Sequence, residues 1–362
     1  MKKRVLVISN MYPSKLNPTY GIFVKNQVEA LREKGLDMDI AVNKDNRGGK
    51  RNLIMKYGTW LLRILTKLIT NGRKYDVVHA HYIFPSGLPA LLFKKLFKSK
   101  MIVTSHGGDL DQMAKKNKWI ASMTKYILKQ ADHVIVVGEA LKREVVGQYG
   151  VSPERVSLIN MGVDRKLFAP RGSELMKQEL NLSPDHFHLL FVGNLIKAKG
   201  LTELLEAFQS LNEERRNLEL HIIGSMKDAG YLSELKESVQ PDNQEVVHFH
   251  GVKDQENLAK WMAAADLFVL PSYIEGFGLV ALEAMSCHTP VVASNVGGLS
   301  YLLSDEAGVL VKPEDAAALR DGIDEVIADP EQRVAMIQKG EQIAEENNEE
   351  ILIKRIIDIY NQ

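Results

Sequence analysis

Short β-rich apolar runs alternate with amphipathic helical stretches along the whole 362-residue chain, and the alternation breaks once, around residues 163–185. Strands that alternate with helices are joined by right-handed crossovers, which build parallel sheets covered by helices on both faces. In the first half, strands are expected at 4–8, 38–42, 76–80, 101–105 and 133–137, with helices at 23–34, 88–98 and 140–148. The break carries Pro170, Gly172 and Pro184 and little hydrophobic period. The pattern then restarts, with strands at 188–192, 218–223, 246–250 and 267–270 and helices at 201–211 and 256–264. The tail, 342–360, reads as one long helix bearing Ile351, Ile353, Ile356, Ile357 and Ile359. The expected fold is therefore α/β, with two doubly wound Rossmann-like domains at 1–168 and 169–345 and a C-terminal helix, 346–362, returning towards the first. A chain of this length exceeds one ordinary core. Domains of this kind bind ligands at the carboxyl ends of their strands, so two of them are expected to share a cleft suited to a two-substrate reaction.

Net charge is zero, but residues 1–164 hold 28 Lys+Arg against 13 Asp+Glu, a balance of +15, and the remainder carries −15. The basic half is expected to face something anionic, and attraction between two oppositely charged domains is compatible with that. The single cysteine, Cys287, excludes an internal disulfide framework and fits a reducing compartment. After Lys2-Lys3-Arg4 the apolar run 5–8 stops at Ser9-Asn10, short of the roughly 7–15 residues of an export signal, and reads as a first strand. Arg63 and Lys67 interrupt the best candidate for a spanning helix. A cytoplasmic location is expected.

The most informative stretch is Tyr273-Ile274-Glu275-Gly276-Phe277-Gly278-Leu279, followed four residues on by Glu283. A strand ends at Leu270, a glycine-bearing loop follows, and a helix opens near Gly278. Backbone N–H groups at such a helix start, with the macrodipole behind them, suit a diphosphate or a sugar oxygen. Gly276 and Gly278 permit close backbone approach. Two carboxylates eight residues apart could grip two sets of hydroxyls, one on a sugar and one on a ribose. Taken singly, Glu283 is a solvated helix residue, Phe277 a core anchor and Lys199 a surface charge; it is the ordered set that points to a site.

That set resembles the Glu-x7-Glu motif of the GT-B retaining glycosyltransferases of family 4. The stretch 191–200, with Asn194 and Lys199, is similar to the family's strand–loop–helix that supplies basic residues to the donor phosphates. Residues 159–164 resemble its interdomain junction and Val296-Gly297-Gly298 a later glycine turn. The resemblance covers nearly the whole chain, and its overall pattern is that of bacterial cell-surface polysaccharide assembly, the teichuronic acid biosynthesis glycosyltransferases among them. It implies that Glu275 contacts the donor sugar, that Glu283 binds the ribose, and that the 276–279 amides of Gly276, Phe277, Gly278 and Leu279 face the diphosphate. The sequence departs from the family at Asn194, where Arg is usual, at Tyr301, where Glu is frequent, and at His288, where Gly is common. Asn194 removes one bidentate phosphate donor and leaves Lys199 as the main positive charge. His288 is expected to hold a left-handed conformation at a helix end.

In the first half, the Gly-x-Gly-x-x-Gly turn of a dinucleotide-binding fold is missing after the first strand, which argues against a nicotinamide enzyme. Gly21 opens a helix instead, and the resemblance places the equivalent glycine beside the donor diphosphate. His106, in Thr104-Ser105-His106-Gly107-Gly108-Asp109, sits at a strand's carboxyl end, and the resemblance gives it a contact to the donor sugar near the reacting carbon. His79 and His81 are too few for a metal site and read as packing and loop-orienting residues. Asp109-Leu110-Asp111 and Asp37-Met38-Asp39 imitate the metal-binding Asp-x-Asp of another glycosyltransferase fold, but such triplets are common by chance. No metal and no cofactor is implied; the donor is expected to be a UDP- or GDP-sugar, and Lys199 with helix N-termini to supply the charge stabilisation.

Residues 50–75 carry Lys50, Arg51, Lys56, Arg63, Lys67, Arg73 and Lys74 without one acid, interleaved with Trp60 and many aliphatic residues. A basic amphipathic helix of this kind is a candidate for lying on an anionic membrane surface; an ordinary helix packed on the sheet explains its apolar positions equally well, and the one-sided charge, extended by Lys94, Lys95, Lys98, Lys100, Lys115, Lys116 and Lys118, favours the membrane. A lipid-linked or polymeric anionic glycan acceptor would use the same surface. Nucleic acid is not expected, since no binding module accompanies the clusters. Two other readings remain open: a non-hydrolysing sugar-nucleotide 2-epimerase, and a non-catalytic sugar-nucleotide-binding subunit.

Overall fold

The continuous apolar run of β1 (Arg4–Ser9) is buried from Val5 onward, as a strand covered on both faces must be. A computed structural model describes residues 3–14, 20–45, 47, 49–113, 117–226 and 229–362. In it β1 lies between β2 (Asp37–Val42) and β3 (Val77–His81), followed by β4 (Lys100–Ser105), β5 (His133–Val136) and β6 (Val156–Leu158). Every pairing is parallel, in the order β2-β1-β3-β4-β5-β6. The second sheet holds β7 (Phe187–Val192), β8 (Leu218–Ile223), β9 (Val247–Gly251), β10 (Leu267–Leu270), β11 (Val291–Ser294) and β12 (Val309–Val311). Its order is β12-β11-β10-β7-β8-β9, again all parallel. The strand order reverses between β1 and β3 in one sheet and between β7 and β10 in the other. At such a reversal the flanking loops diverge and leave a crevice beyond the strand ends. Two doubly wound α/β sheets in one chain are the GT-B arrangement.

Two compact units result, one from Met1–Met161 with Glu350–Gln362 and one from Gly162–Glu349. The changeover at Met161/Gly162 falls a few residues before the divide read from the sequence. The break in the pattern contains a helix that the sequence reading left out, Ser173–Leu180, which buries Met176 in the second unit's core. Three short strands, β6, β11 and β12, were also left out.

The tail is two helices, not one. Pro330–Glu346 ends where Asn347 donates both its backbone N–H and its side-chain Nδ2 to the Ile343 carbonyl. Val163 then exchanges hydrogen bonds with Asn347 and Glu349, so a foreign segment takes the groups that would continue the helix. Gly162 makes this crossing possible: at φ 70 it passes so close that a Cβ would lie 2.8 Å from the Glu349 Cα. The following helix, Glu349–Asn361, buries Leu352, Ile353, Ile356, Ile359 and Tyr360 among Val5, Val7, Val24 and Val28 of the first unit. Lys3 and Lys100 donate to the carbonyls of Tyr360 and Ile359 at its C-terminal end, where cations are favoured.

Candidate active site

In the second unit, β7 and β10 are neighbours at the reversal, and the loops that leave them are pressed together. Tyr273 N–H donates to the Ala198 carbonyl at 3.0 Å. Gly200, at φ 69, leaves no room for a side chain, since a Cβ would lie 2.0 Å from the Pro271 oxygen. This contact brings the Lys199 Nζ to 2.6 Å from Glu275 Oε2, with the two side chains 20% and 18% exposed. The other carboxylate oxygen, Oε1, accepts the Gly276 N–H at 3.2 Å. The Glu275 backbone is bracketed by the glycine turn behind it. Its carbonyl accepts from Gly298 N–H, and a Cβ on Gly297 would lie 1.9 Å from that same oxygen. A Cβ on Gly298 would meet the Phe277 Cα at 2.4 Å. Sequence reading named Gly297 and Gly298 only as a turn; their work is to fix where Glu275 and Phe277 stand.

Gly278 adopts φ 93 and starts the helix Leu279–Ser286, whose first turn holds no acidic residue. Ala281 N–H donates to the Gly278 carbonyl at 2.9 Å, which leaves the Leu279 and Val280 N–H groups without intrahelical partners at the positive end of the helix dipole. Glu283 lies further along this helix, 8% exposed, and burial raises its carboxyl to about 8. Near neutrality it is therefore largely an un-ionised acid, able both to donate to and accept from a hydroxyl. The folded chain holds a proton that the unfolded chain releases in the ordinary carboxylate range, so stability falls as pH rises from that range to about 8 and levels beyond it. Glu283→Gln is expected to flatten this decline, giving a smaller loss of Tm than the wild type between about pH 5 and about pH 9. Parallel melting curves for the two proteins would show instead that Glu283 titrates as a solvated carboxylate.

The Asn194 side chain is engaged by a neighbouring loop: its Oδ1 accepts from Ser225 Oγ at 2.6 Å. That bond ties the loop after β7 to the loop after β8, which already approach so closely that a Cβ on Gly224 would lie 1.6 Å from the Gly193 oxygen. Tyr273 Oη donates to Glu203 at 2.7 Å, which ties the loop after β10 to the helix Leu201–Arg215 that follows β7. Neither Ser225 nor Glu203 carries a signal in the sequence, since both partnerships depend on the fold. His288 stands at φ 65, left-handed as expected, and its Nε2 lies 3.1 Å from Glu341.

In the first unit, Gly21 has φ 69 and lies against the backbone of Met11, where a Cβ would be 2.7 Å from the carbonyl carbon. The helix Ile22–Glu33 begins directly after it. His106 follows β4 and is held by His81, whose Nδ1 lies 3.1 Å from His106 Nε2 with the rings stacked. Phe23 and Tyr82 cover the His106 ring at 4.7 and 4.8 Å. Burial, reinforced by His81, pushes His106 well below the usual imidazole range, and burial takes His81 to about 3. Both rings are neutral and share one proton across their contact. His79 is fixed between Tyr360 and Thr104, at 2.7 Å each. The two Asp-x-Asp triplets serve the fold: Asp109 accepts from Ile83 N–H and Ser105 Oγ, and Asp39 from Lys67 and Tyr75. The Asp111 side chain lies outside the described residues.

The basic helix Lys50–Asn71 departs from expectation at Trp60. That ring is buried, its Nε1–H donating to the Ala41 carbonyl, and Ile64 and Leu68 follow it into the core. Trp60 is the helix's anchor to its own sheet. The outward face is nonetheless apolar: Ile54, Leu62 and Ile69 are 75%, 65% and 82% exposed, with Leu53, Met55, Leu61 and Leu65 beside them. In the second cluster Lys94 pairs with Asp132 and Lys95 reaches Tyr126, while Lys115 and Lys116 lie outside the described residues. Among the described residues no helix is long and apolar enough to cross a membrane.

Comparison with known proteins divides the chain between residues 167 and 172, a few residues after the structural changeover at Met161/Gly162. A family model described as Glycosyltransferase Family 4 matches residues 21–167, and one described as Glycosyl transferases group 1 matches 172–343. The D-inositol 3-phosphate glycosyltransferase of Pseudarthrobacter chlorophenolicus is 33% identical over 278 residues, 73% of this chain and 65% of that protein. This chain thus matches just under two thirds of that relative's length. The teichuronic acid biosynthesis glycosyltransferase TuaC of Bacillus subtilis is 26% identical over 88% of each chain. Among solved structures, the sucrose-phosphate synthase of Thermosynechococcus elongatus superposes with a TM-score of 0.80 at 26% identity, over 99% of both chains. HepE of Anabaena in complex with UDP also reaches 0.80, at 20% identity over 98% of both, a likeness of fold.

Proposed function

This chain belongs to the glycosyltransferases described by the family 4 and group 1 models, and from that premise we propose that it transfers a sugar, with retention, from a nucleoside diphosphate to a lipid-linked or polymeric glycan at an anionic membrane surface. The observation that carries the donor half is the Lys199–Glu275 pair beside a helix N-terminus, at the strand reversal of the second unit. A cation and free amides suit the diphosphate, and a carboxylate suits sugar hydroxyls. Glu283 is assigned to the ribose, and Gly276, Phe277, Gly278 and Leu279 to the phosphates and sugar. Asn194 is assigned to the donor loop as an uncharged member. From the first unit we assign Gly21 and His106 as donor-contacting residues. The structure of HepE with UDP makes a uridine nucleotide the first donor to try.

In the reaction so assigned, the bond between the anomeric carbon and the diphosphate oxygen breaks, and its electron pair leaves with the diphosphate. The acceptor hydroxyl oxygen bonds to the anomeric carbon from the same face, and its proton passes to the departing phosphate. Negative charge grows where Lys199 and the amides stand, so their stabilisation is greatest in the transition state. This assignment calls for no metal at the donor. A thermal-shift screen of UDP-, GDP- and ADP-sugars, each with and without EDTA, tests it. One donor is expected to raise Tm selectively, and the donor-induced increment to be unchanged by EDTA. No shift with any donor would remove the donor assignment.

For the acceptor side, the support is the exposed apolar face of the Lys50–Asn71 helix, with Arg51, Arg63, Arg73 and Lys74 exposed on and just after it, while Lys56 is buried and Lys67 pairs with Asp39. Replacing Ile54, Leu62 and Ile69 together with Glu is expected to weaken binding to vesicles rich in anionic lipid by at least about tenfold. The donor-induced shift should survive. Unchanged sedimentation with vesicles would detach this face from the membrane.

A further inference from the structure

Five of the chain's ten histidines gather around one carboxylate in the second unit. The signature is three dyads of period two: His186-Phe187-His188, Glu219-Leu220-His221 and His248-Phe249-His250. Alternate strand residues share a face. The register sets His188 opposite Glu219 and His221 opposite His248, so the dyads of β7, β8 and β9 meet on one side of the sheet. Trp261 of the helix Gln255–Ala264 covers this face, its ring 4.9 Å from His221 and 4.4 Å from His250. His188 and His221 are buried, while His186 and His248 keep about a third of their surface and give access from solvent.

We propose that this cluster binds a divalent transition-metal ion, zinc in the first instance, through His188 Nδ1, His221 Nε2 and Glu219 Oε2, with His248 Nε2 as the fourth ligand. The three atoms lie 3.0, 3.9 and 3.7 Å apart, and the point equidistant from them is about 2.1 Å from each, the length of a zinc bond to nitrogen or carboxylate oxygen. His248 Nε2 stands 3.1 Å from the same Glu219 oxygen. Two imidazoles and a carboxylate, with a further imidazole in reach, form a donor set that suits Zn²⁺.

The outer atoms of these ligands are already held as metal ligands require. His188 Nε2–H donates to the Ser183 carbonyl at 2.8 Å, which leaves the Nδ1 lone pair facing the cluster. Glu219 Oε1 is held by His186 Nδ1 at 2.6 Å. His221 Nδ1 lies 3.1 Å from His250 Nε2. Without an ion, His221 Nε2–H must donate to His188 Nδ1, so His221 Nδ1 accepts from His250; with an ion on Nε2 that second bond reverses. Four protein ligands leave no open position, which makes the role structural, tying β7 to β8 and the edge strand β9. The cluster sits at the amino ends of β7 and β8. Asn194 comes six residues after His188, roughly 20 Å away at about 3.3 Å per residue, so the ion is independent of the donor site.

The test uses the untagged full chain, stripped with a chelator and titrated with Zn²⁺ in equilibrium dialysis and melting experiments. One equivalent is expected to bind and to raise Tm. Glu219→Gln and His221→Asn should each weaken binding by at least about tenfold and abolish the zinc-dependent rise, whereas His288→Ala, outside the cluster, should behave as the wild type. Should His221→Asn fail to fold by circular dichroism, the part-exposed His248→Ala replaces it. No stoichiometric uptake by the wild type, or wild-type affinity in Glu219→Gln together with either His variant, would overturn the site.

Discussion

Glu275→Ala is expected to lower the transfer rate by at least about 10³-fold while leaving the fold and most of the donor-induced thermal shift in place. The carboxylate is held on both oxygens, by Lys199 and by the Gly276 amide, and its backbone is wedged by Gly297 and Gly298. Removing the side chain therefore alters one group in a frame set by backbone contacts. Lys199 keeps access to solvent and to a phosphate, so no buried charge is stranded. Donor affinity rests on groups that remain. Orientation of the sugar does not. Transfer kinetics with single-turnover mixing would check this, and a variant that keeps more than about a tenth of the wild-type rate would remove Glu275 from the reaction.

The second large effect is expected from Lys199→Ala, which should reduce kcat/KM by roughly 10²–10³-fold and diminish the donor shift as well. With Asn194 uncharged and bonded to Ser225, Lys199 is the cation that this loop holds against Glu275, while Lys197 is exposed. The two variants differ in a readable way. Glu275→Ala should act chiefly on kcat, Lys199→Ala on binding and kcat together. Because the two side chains touch, their effects should not add, and the double variant is expected to lose less than the product of the singles. Full additivity would mean that the ion pair plays no part in arranging the donor loop.

Much of the sheet architecture was legible because buried parallel strands are apolar throughout and their bounding helices have a clear stripe. β6 and β12 escaped because three residues carry too little pattern, and the helix Ser173–Leu180 because only Leu175, Met176 and Leu180 mark it and Leu175 is exposed. The split of the tail at Asn347 was invisible for another reason. It is imposed by Val163, nearly two hundred residues earlier in the chain, whose backbone takes over the hydrogen bonds. Within the site, Glu275 and Lys199 were readable as an ordered set, and their 2.6 Å contact was not, since it depends on Gly200 admitting Pro271. Trp60 was misplaced because a helix apolar on two faces does not say which one its sheet will take. The period-two dyads of His and Glu were in plain view, but they acquire meaning only when three strands come into register.

The return of the helix Glu349–Asn361 to the first unit bears on how the chain is made. A ribosome delivers Met1–Met161 first, yet five residues of that unit's core, Leu352 to Tyr360, are synthesised only after the second unit. The second unit, Gly162–Glu349, is continuous and is complete while the first still exposes Val5, Val24 and Val28. Closing the first unit's core thus waits on synthesis of the whole second unit, and a nascent chain stalled near residue 349 would lack the five residues that close it.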